Sequence, residues 1–535
     1  MHFAGTNRGT KVLLNVFSVA PKFDSTKLAA VITRGALTLA WACALAFVAT
    51  RPAQAQTETV LYDFPCSPTE CANGDNPASS LTADSASNLY GTTVSGGTNI
   101  AGVAFELTAN GELNVLYNFC SASNCTDGEN PYSNLIFDHS GNLYGVTYLG
   151  GAHGYGTVFE LSPSTAGKPW SETVLYSFCD CGDGSYPFIG GLLFDPEGNL
   201  YGTAKVGVAT GVGGVFELSP EPKGGCSSGT NTGNGWCEKI IYSNVTDAFY
   251  GLTMSSAGVI FGNSSIEAFE LTPNGGGGWN PTVVQTFPSN DGGGTPAFDR
   301  DGNWYGTTAV EGTDGDGSVW KLTPVTTGPN KGTWTETTIY SFTGGNNGKS
   351  PIGGVVLDSA GNIYGMTQYG GEYDCGTVWK LSKGTHKFKT LWNFNYTDGG
   401  FCVETAYGGL NSMIVFKDKL YGMTFTGGGE GTGVVFEVDP SAAATKTTLT
   451  SSPNPSTSGE SVTFTALVKP APPNGETVLF RNGTTVLGSG TLTGGTAMFS
   501  YSTLPVGTNS ITAVYGGDQN LLGSKSKVLK QVVSQ

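Results

Sequence analysis

Histidine and charge are what this chain has least of. Four histidines occur in 535 residues, and charged residues make up only 13%. Beyond residue 55 the histidines are His139, His153 and His386, and no Cys-x-x-Cys pair accompanies them, which sets zinc aside as the reason for the cysteines. Basic residues are few beside acidic ones, 26 against 42, for a formal net charge of −16. Residues 1–55 hold six Lys/Arg and one Asp, so the remainder is more acidic still. Such a surface argues against nucleic acid and anionic membrane as partners. No stretch sustains a 3.6-residue apolar period, which points away from helices and toward an all-β chain.

What is abundant is glycine, 81 residues, together with 11% aromatics. That many aromatics exclude a disordered chain, so the glycines are read as turns and close backbone approaches between short strands. The N-terminus reads as an export signal over residues 1–55. Arg34 precedes an apolar run from Ala36 to Thr50, and Ala53-Gln54-Ala55 suits cleavage. The run is short for a stable membrane span, with an uncleaved anchor as the alternative. Trp41 is too bulky for lipoprotein attachment at Cys43, and the long stretch before the apolar run leaves the true start open. Ten cysteines follow residue 55, an even number that suits an exported disulfide-bonded chain. Spacing pairs Cys66 with Cys71, Cys120 with Cys125 and Cys226 with Cys237. Cys179 and Cys181 stand too close for an unstrained bridge, and Cys375 and Cys402 are left for each other.

One pattern recurs seven times. An aromatic-glycine pair marks each unit: Tyr90-Gly91, Tyr144-Gly145, Tyr201-Gly202, Phe261-Gly262, Tyr305-Gly306, Tyr364-Gly365 and Tyr421-Gly422. The intervals are 54, 57, 60, 44, 59 and 57 residues, the size of a four-stranded propeller blade. Within a unit, an apolar run meets an Asp-x-x-Gly-Asn hairpin step, as at Asp195 to Asn199. Leu200-Tyr201-Gly202-Thr203 follows, then a third strand such as Val215-Phe216-Glu217-Leu218 and a fourth such as Val174-Leu175-Tyr176-Ser177-Phe178. The first strand of the series, Val60 to Phe64, is of the fourth type, and the last, Val434 to Val438, is of the third. The N-terminal strand is therefore expected to complete the last blade and close the ring. The worn fourth unit leaves six or eight blades open. Loops joining fourth to first strands carry Asp-Gly-x-x-Pro and most cysteines; loops joining second to third strands carry Gly-Gly tips. The two sets are expected to share a face, with Cys375 and Cys402 in neighbouring loops.

The units Asp-x-x-Gly-Asn-Leu-Tyr-Gly-Thr-Thr, Gly-Gly and Gly-Thr-Val-Phe-Glu-Leu resemble the bacterial GloVer tandem repeat over about residues 58–440. That resemblance implies an exported protein of the choice-of-anchor type with a variable C-terminal anchoring module, and it supplies no catalytic residues. The Gly-Asn-Leu-Tyr-Gly-Thr step is also similar to NHL and sensor-type propeller repeats. From Thr445 cysteine and tryptophan vanish and the charge turns positive, six Lys/Arg against three Asp/Glu. Short alternating strands such as Ser461 to Ala466 and Ser510 to Tyr515, with Asn-Gly turns, read as a β-sandwich. Ser458 to Phe464, Leu504-Pro505-Val506-Gly507 and Ala513 to Asp518 resemble a bacterial Ig-like repeat domain. The expected organisation is a signal peptide over 1–55, a seven-bladed β-propeller over 56–440 and an Ig-like sandwich over 441–535.

Little of the remaining sequence points to chemistry. Gly348-Lys349-Ser350 imitates a phosphate loop but is one residue short, and no helix follows. Asp299 to Asn303 and Asp314 to Gly317 resemble pieces of calcium loops without the full ligand set. Calcium is the one cofactor left open there, beside a plain turn. Glu106, Glu160, Glu217, Glu270 and Glu437 recur in third strands, replaced by Lys321 and Lys380 in two units, and read as a solvated strand position. The best binding candidates are loop aromatics: Tyr148, His153 and Tyr155 in one loop, Tyr369 and Tyr373 in its equivalent. Rings beside acidic acceptors suit sugar faces or a peptide, and packing of their own loops is the alternative. The reading is an exported, non-catalytic binding or scaffold protein in the periplasm, at the cell surface or outside the cell. A propeller face would recognise a glycan or a surface protein, with the Ig-like module as spacer or adhesive unit. The alternative is a polysaccharide lyase or glycosidase with carboxylates at the central mouth.

Overall fold

The computed structural model describes residues 58–535 except 67–70, 165–169, 210–211, 222–225, 227–229, 232–233, 246–249, 288–291, 352, 401–411, 442 and 518–520. The expected signal over 1–55 lies outside the described residues. Among those described the chain is all-β, and no helix is long and apolar enough to cross a membrane.

The second sheet shows the common plan. Ile136–Phe137, Leu143–Thr147, Thr157–Ser162 and Ser171–Ser177 pair antiparallel, each with the next in the chain. Local chemistry fixes its first hairpin. Asp138 Oδ1 accepts the backbone N–H groups of Ser140 and Asn142 at 2.8 Å each, and Gly141 supplies the positive φ of 87° that the corner needs. Oδ2 accepts the Asn142 amide at 2.8 Å and the Tyr144 hydroxyl at 3.3 Å. The same Asp–Asn–Tyr knot closes the hairpins at Asp84, Asp195, Asp299 and Asp358.

Seven sheets of four or five strands follow one another between Asp75 and Val438 among the described residues. The seventh takes an outer strand from the start of the series. Glu58–Asp63 pairs antiparallel with Val434–Val438, Glu58 opposite Val438 and Asp63 opposite Val434. The fourth unit keeps four strands, with the Ser264 N–H bonded to Glu267 O at 2.8 Å where the first, second, sixth and seventh units carry a Gly-Gly loop. Hydrogen bonds join each sheet to the next. Thr92 Oγ1 donates to Ser133 O (2.9 Å), Tyr186 N to Tyr155 O (2.9 Å), Thr203 Oγ1 to Tyr250 O (3.3 Å) and Thr253 Oγ1 to Pro296 O (2.7 Å). Thr307 Oγ1 donates to Gly353 O (3.1 Å), Gly354 N to Ser412 Oγ (3.0 Å) and Asn76 Nδ2 to Phe425 O (3.0 Å), the last joining the seventh sheet to the first. The arrangement is propeller-like.

The repeated glycine has one physical cause. In every sheet the glycine after the marker aromatic stands opposite an aromatic of the third strand: Gly91 faces Phe105, Gly145 Phe159, Gly202 Phe216 and Gly262 Phe269. Gly306 faces Trp320, Gly365 Trp379 and Gly422 Phe436. Each ring lies across the bare glycine backbone. A methyl on Gly91 would come within 2.8 Å of Phe105 Cζ, and on Gly145 or Gly422 within 2.6 Å of the facing ring. All seven of these third-strand rings are buried.

The C-terminal region packs two sheets on one core. Lys446–Ser452, Val462–Lys469 and Thr496–Tyr501 form a three-stranded sheet; Thr477–Asn482 and Gly507–Gly517 belong to a seven-stranded one. Period-two alternation buries Val462, Phe464, Ala466 and Val468 against Val478, Phe480, Ile511 and Ala513. Replacing Gly145 by Ala is expected to cost about 1–3 kcal/mol through overpacking against Phe159. Gly276, whose added methyl would meet only the Asn274 side chain at 3.5 Å, is the neutral control. Urea midpoints of the two variants check this; equal midpoints would remove the ring-on-glycine account.

Candidate functional site

The two loop families meet, as their phase requires. A methyl on Gly150 would come within 2.6 Å of Gly128 Cα, on Gly370 within 2.6 Å of Gly348 Cα and on Gly96 within 2.7 Å of Gly74 Cα. Their acids and amides hold the loops down: Tyr117 donates to Asp127 at 2.7 Å, Tyr176 to Asp183 at 2.5 Å, while Asn73 and Asn347 donate to Tyr62 and Tyr340 at 2.6 and 2.8 Å. Bridges run from Cys66 to Cys71, Cys120 to Cys125 and Cys226 to Cys237. Spacing argued against joining Cys179 to Cys181; the structure joins them, with Cα atoms 5.2 Å apart. Cys375 is disulfide-bonded and lies against Gly400, whereas its expected partner Cys402 is outside the described residues.

First strands and the segments leading into them line a shared cavity of about 490 Å³. Ser80, Asn134, Gly190, Gly251, Gly294, Gly354 and Ser412, one from each unit, border it. Leu192, Phe298, Val355 and Met413 add apolar surface. Among the described lining residues there is no carboxylate, histidine, lysine, arginine or cysteine; Tyr250 is the one titratable side chain. General acid–base chemistry, which needs a positioned proton donor and acceptor, has no groups of that kind here.

The third-strand carboxylates are engaged elsewhere. Cross-strand register sets Glu106 opposite Tyr90, Glu160 opposite Tyr144 and Glu437 opposite Tyr421. Tyr90 donates to Glu106 at 2.9 Å, and Glu437 pairs with Lys419. Lys321 and Lys380 lie over the Tyr305 and Tyr364 rings, 5.9 and 5.3 Å from the centroids. A solvated position is therefore corrected to a half-buried one that caps the marker aromatic. The Asp299 carboxylate is filled by the Asp301 N–H, the Asn303 N–H and amide, and the Tyr305 hydroxyl, all within 2.9 Å.

The loop aromatics divide. Tyr369 pairs with Lys349 through the backbone and lies under its ammonium at 5.7 Å, while Tyr373 packs on the core of the last two sheets. His153 is exposed. Tyr148 and Tyr155 join a larger cluster that sequence reasoning missed. Tyr186 lies 5.1 Å from Tyr148 and 5.5 Å from Tyr155, and Tyr148 also meets Tyr132 at 5.7 Å and Phe188 at 5.2 Å, centroid to centroid. Tyr186 and Phe188 belong to the next unit, so adjacency in one loop could not reveal them. Their only sequence signal was two aromatics flanking Pro187.

A family model described as the Gloeobacter/Verrucomicrobia repeat matches residues 46–253 and 238–471, and one described as a bacterial Ig-like domain (group 3) matches 449–534. No curated relative matches the chain. Among solved structures, one titled as a gluconolactonase is 12% identical, with 74% of this chain and 94% of that one covered and a TM-score of 0.33. A glucose dehydrogenase is 11% identical, with 71% and 99% covered and a TM-score of 0.35. A Bacteroides thetaiotaomicron protein of unknown function is 10% identical, with 71% and 75% covered and the same score of 0.35.

Glu172 and Glu238 hold one position in the fourth strands of neighbouring units, opposite Leu161 and Leu218. Burial, then the negative charge of Asp127 or Asp183, pushes each up to about 8. Both are therefore protonated in the fold at neutral pH. Their contribution is complete below the ordinary Glu value of about 4.3 and is lost as pH rises toward about 8. Asp138, Asp299 and Asp358 have the opposite sign. Burial works against their ionisation, but hydrogen bonds from Asn142, Asn303 and Asn362 overcome it and lower their values. Their contribution is present above the ordinary Asp value of about 3.9 and is lost as pH falls through the lowered values. A Glu172→Gln, Glu238→Gln double variant is expected to flatten the fall in urea midpoint between about pH 5 and 8. A slope like that of the parent chain would show that these carboxyls do not cause it.

Proposed function

The chain belongs to the Gloeobacter/Verrucomicrobia repeat family, and from that premise we propose that it is an exported, non-catalytic binding or scaffold protein. The seven sheets are the blades of one ring over residues 56–440, closed by Glu58–Asp63, and 441–535 form an Ig-like sandwich that serves as spacer or adhesive unit. The observation that carries the reading is the shared cavity. Every unit contributes to its wall, and the described wall offers backbone, hydroxyl, amide and apolar surface without an acid–base pair. A glycosidase or lyase needs such groups at the mouth. Disulfides in successive loops and the Ig-like match support a place outside the cytoplasm.

The ring face then acts by holding a polymer or surface protein, with loops that vary while the strands repeat. Purified protein on a glycan and cell-wall array is expected to retain ligand without releasing product, read by chromatography of every positive spot. Oligosaccharide released by turnover would overturn the non-catalytic reading.

A further inference from the structure

A left-handed corner precedes the proline of the Asp-Gly-x-x-Pro type of loop at four joins between sheets: Asn76 (φ 56°), Asn130 (φ 54°), Tyr186 (φ 56°) and Ser350 (φ 52°). The backbone is the same in all four, since each N–H donates at 2.8–2.9 Å to a carbonyl of the neighbouring unit: Thr432, Ala101, Tyr155 and Asp316 respectively. Asparagine suits that corner and a bulky aromatic does not. Asn76 and Asn130 also use their amides to bond the Phe425 and Val94 carbonyls, at 3.0 and 2.9 Å. Tyr186 cannot make that amide bond and occupies the disfavoured conformation, so its ring is placed there at a cost.

The surroundings of Tyr186 depart from the repeat in the same direction. The join between the seventh and first sheets carries Phe425, Thr432, Asn76 and Ala78; that between the first and second carries Val94, Ala101, Asn130 and Tyr132. At the join between the second and third sheets the four equivalent places are Tyr148, Tyr155, Tyr186 and Phe188, all aromatic. Phe188 is buried, whereas Tyr148, Tyr155 and Tyr186 are half-exposed. The path Tyr132–Tyr148–Tyr186–Tyr155 steps by 5.7, 5.1 and 5.5 Å between ring centroids. The exposed Asp180 lies near enough to Tyr186 to help raise the pKa of its phenol, after burial and Tyr155.

We propose that this join is a carbohydrate subsite for a neutral, β-linked glucopyranose chain. Pyranoses with equatorial hydroxyls present flat C–H faces that suit successive tyrosine rings, and their rims suit phenol hydroxyls and the Asp180 carboxylate. The net charge of −16 disfavours a polyanionic chain. An extended peptide would seek free backbone partners, and the Tyr186 and Gly156 N–H groups at this join are already bonded. The proposal rests on the binding reading above and names the place and the ligand class.

The test is calorimetric titration of the full chain with cellohexaose and laminarihexaose. The parent protein is expected to bind at least one of them. Tyr186→Asn, which installs the residue used at two equivalent corners, is expected to weaken that binding roughly tenfold or more while leaving the melting temperature equal or higher. Tyr148→Ala is expected to weaken it similarly. Binding undiminished in Tyr186→Asn would overturn the subsite and leave the binding function standing. No binding of either hexaose would overturn the ligand class, again without touching the scaffold reading. A Tyr186→Asn protein that melts lower and binds equally well would mark the tyrosine as packing alone. Cleaved hexaose would overturn the non-catalytic function itself.

Discussion

A ring laid across a bare glycine is the contact on which the rest of this molecule depends. It occurs once in each of the seven sheets, always between the second and third strands. It fixes the register of those strands, because a slip by one residue would drive the aromatic into a side chain. It also leaves the second-strand aromatic on the opposite face, where Glu or Lys from the third strand caps it. Even the worn fourth unit, which has lost its loop, keeps Gly262 opposite Phe269. Packing, then, tolerates loss of a loop and retains the glycine.

Most polar groups that look chemical are consumed by the same scheme. Hairpin aspartates bind their own asparagine and tyrosine, loop aspartates bind fourth-strand tyrosines, and third-strand glutamates cap aromatics. Low charge and scarce histidine leave little over, and the described wall of the shared cavity carries no acid–base pair. The repeat thus builds a frame that uses these hairpin, loop and third-strand groups internally. Any specific recognition must come from places where a unit departs from the pattern.

The join between the second and third sheets is such a place. Three positions that elsewhere include asparagine, threonine, alanine and valine become tyrosines, one of them in a backbone conformation that asparagine prefers. A repeat offers a built-in control for reading departures of this kind. Equivalent corners share their backbone bonds, so a difference in side chain can be weighed against its own neighbours in one molecule.

By itself the sequence determined the β class, the seven units, the phase that pairs the strand from Val60 with Val434–Val438, and the meeting of the two loop families. These follow from turn chemistry and period-two alternation, which act over a few residues and recur. It also identified Tyr148 and Tyr155 as loop aromatics. Only the tertiary structure decided what they touch, because Tyr186 and Phe188 arrive from the next unit across a join. It decided that the recurring glutamates face the marker aromatics, and it set Tyr369 under the Lys349 ammonium and Tyr373 on the core of the last two sheets. It also bridged Cys179 to Cys181, which spacing alone argued against. Contacts within a strand pair repeat with the sequence; contacts between units depend on how neighbouring sheets pack, and no single unit encodes that.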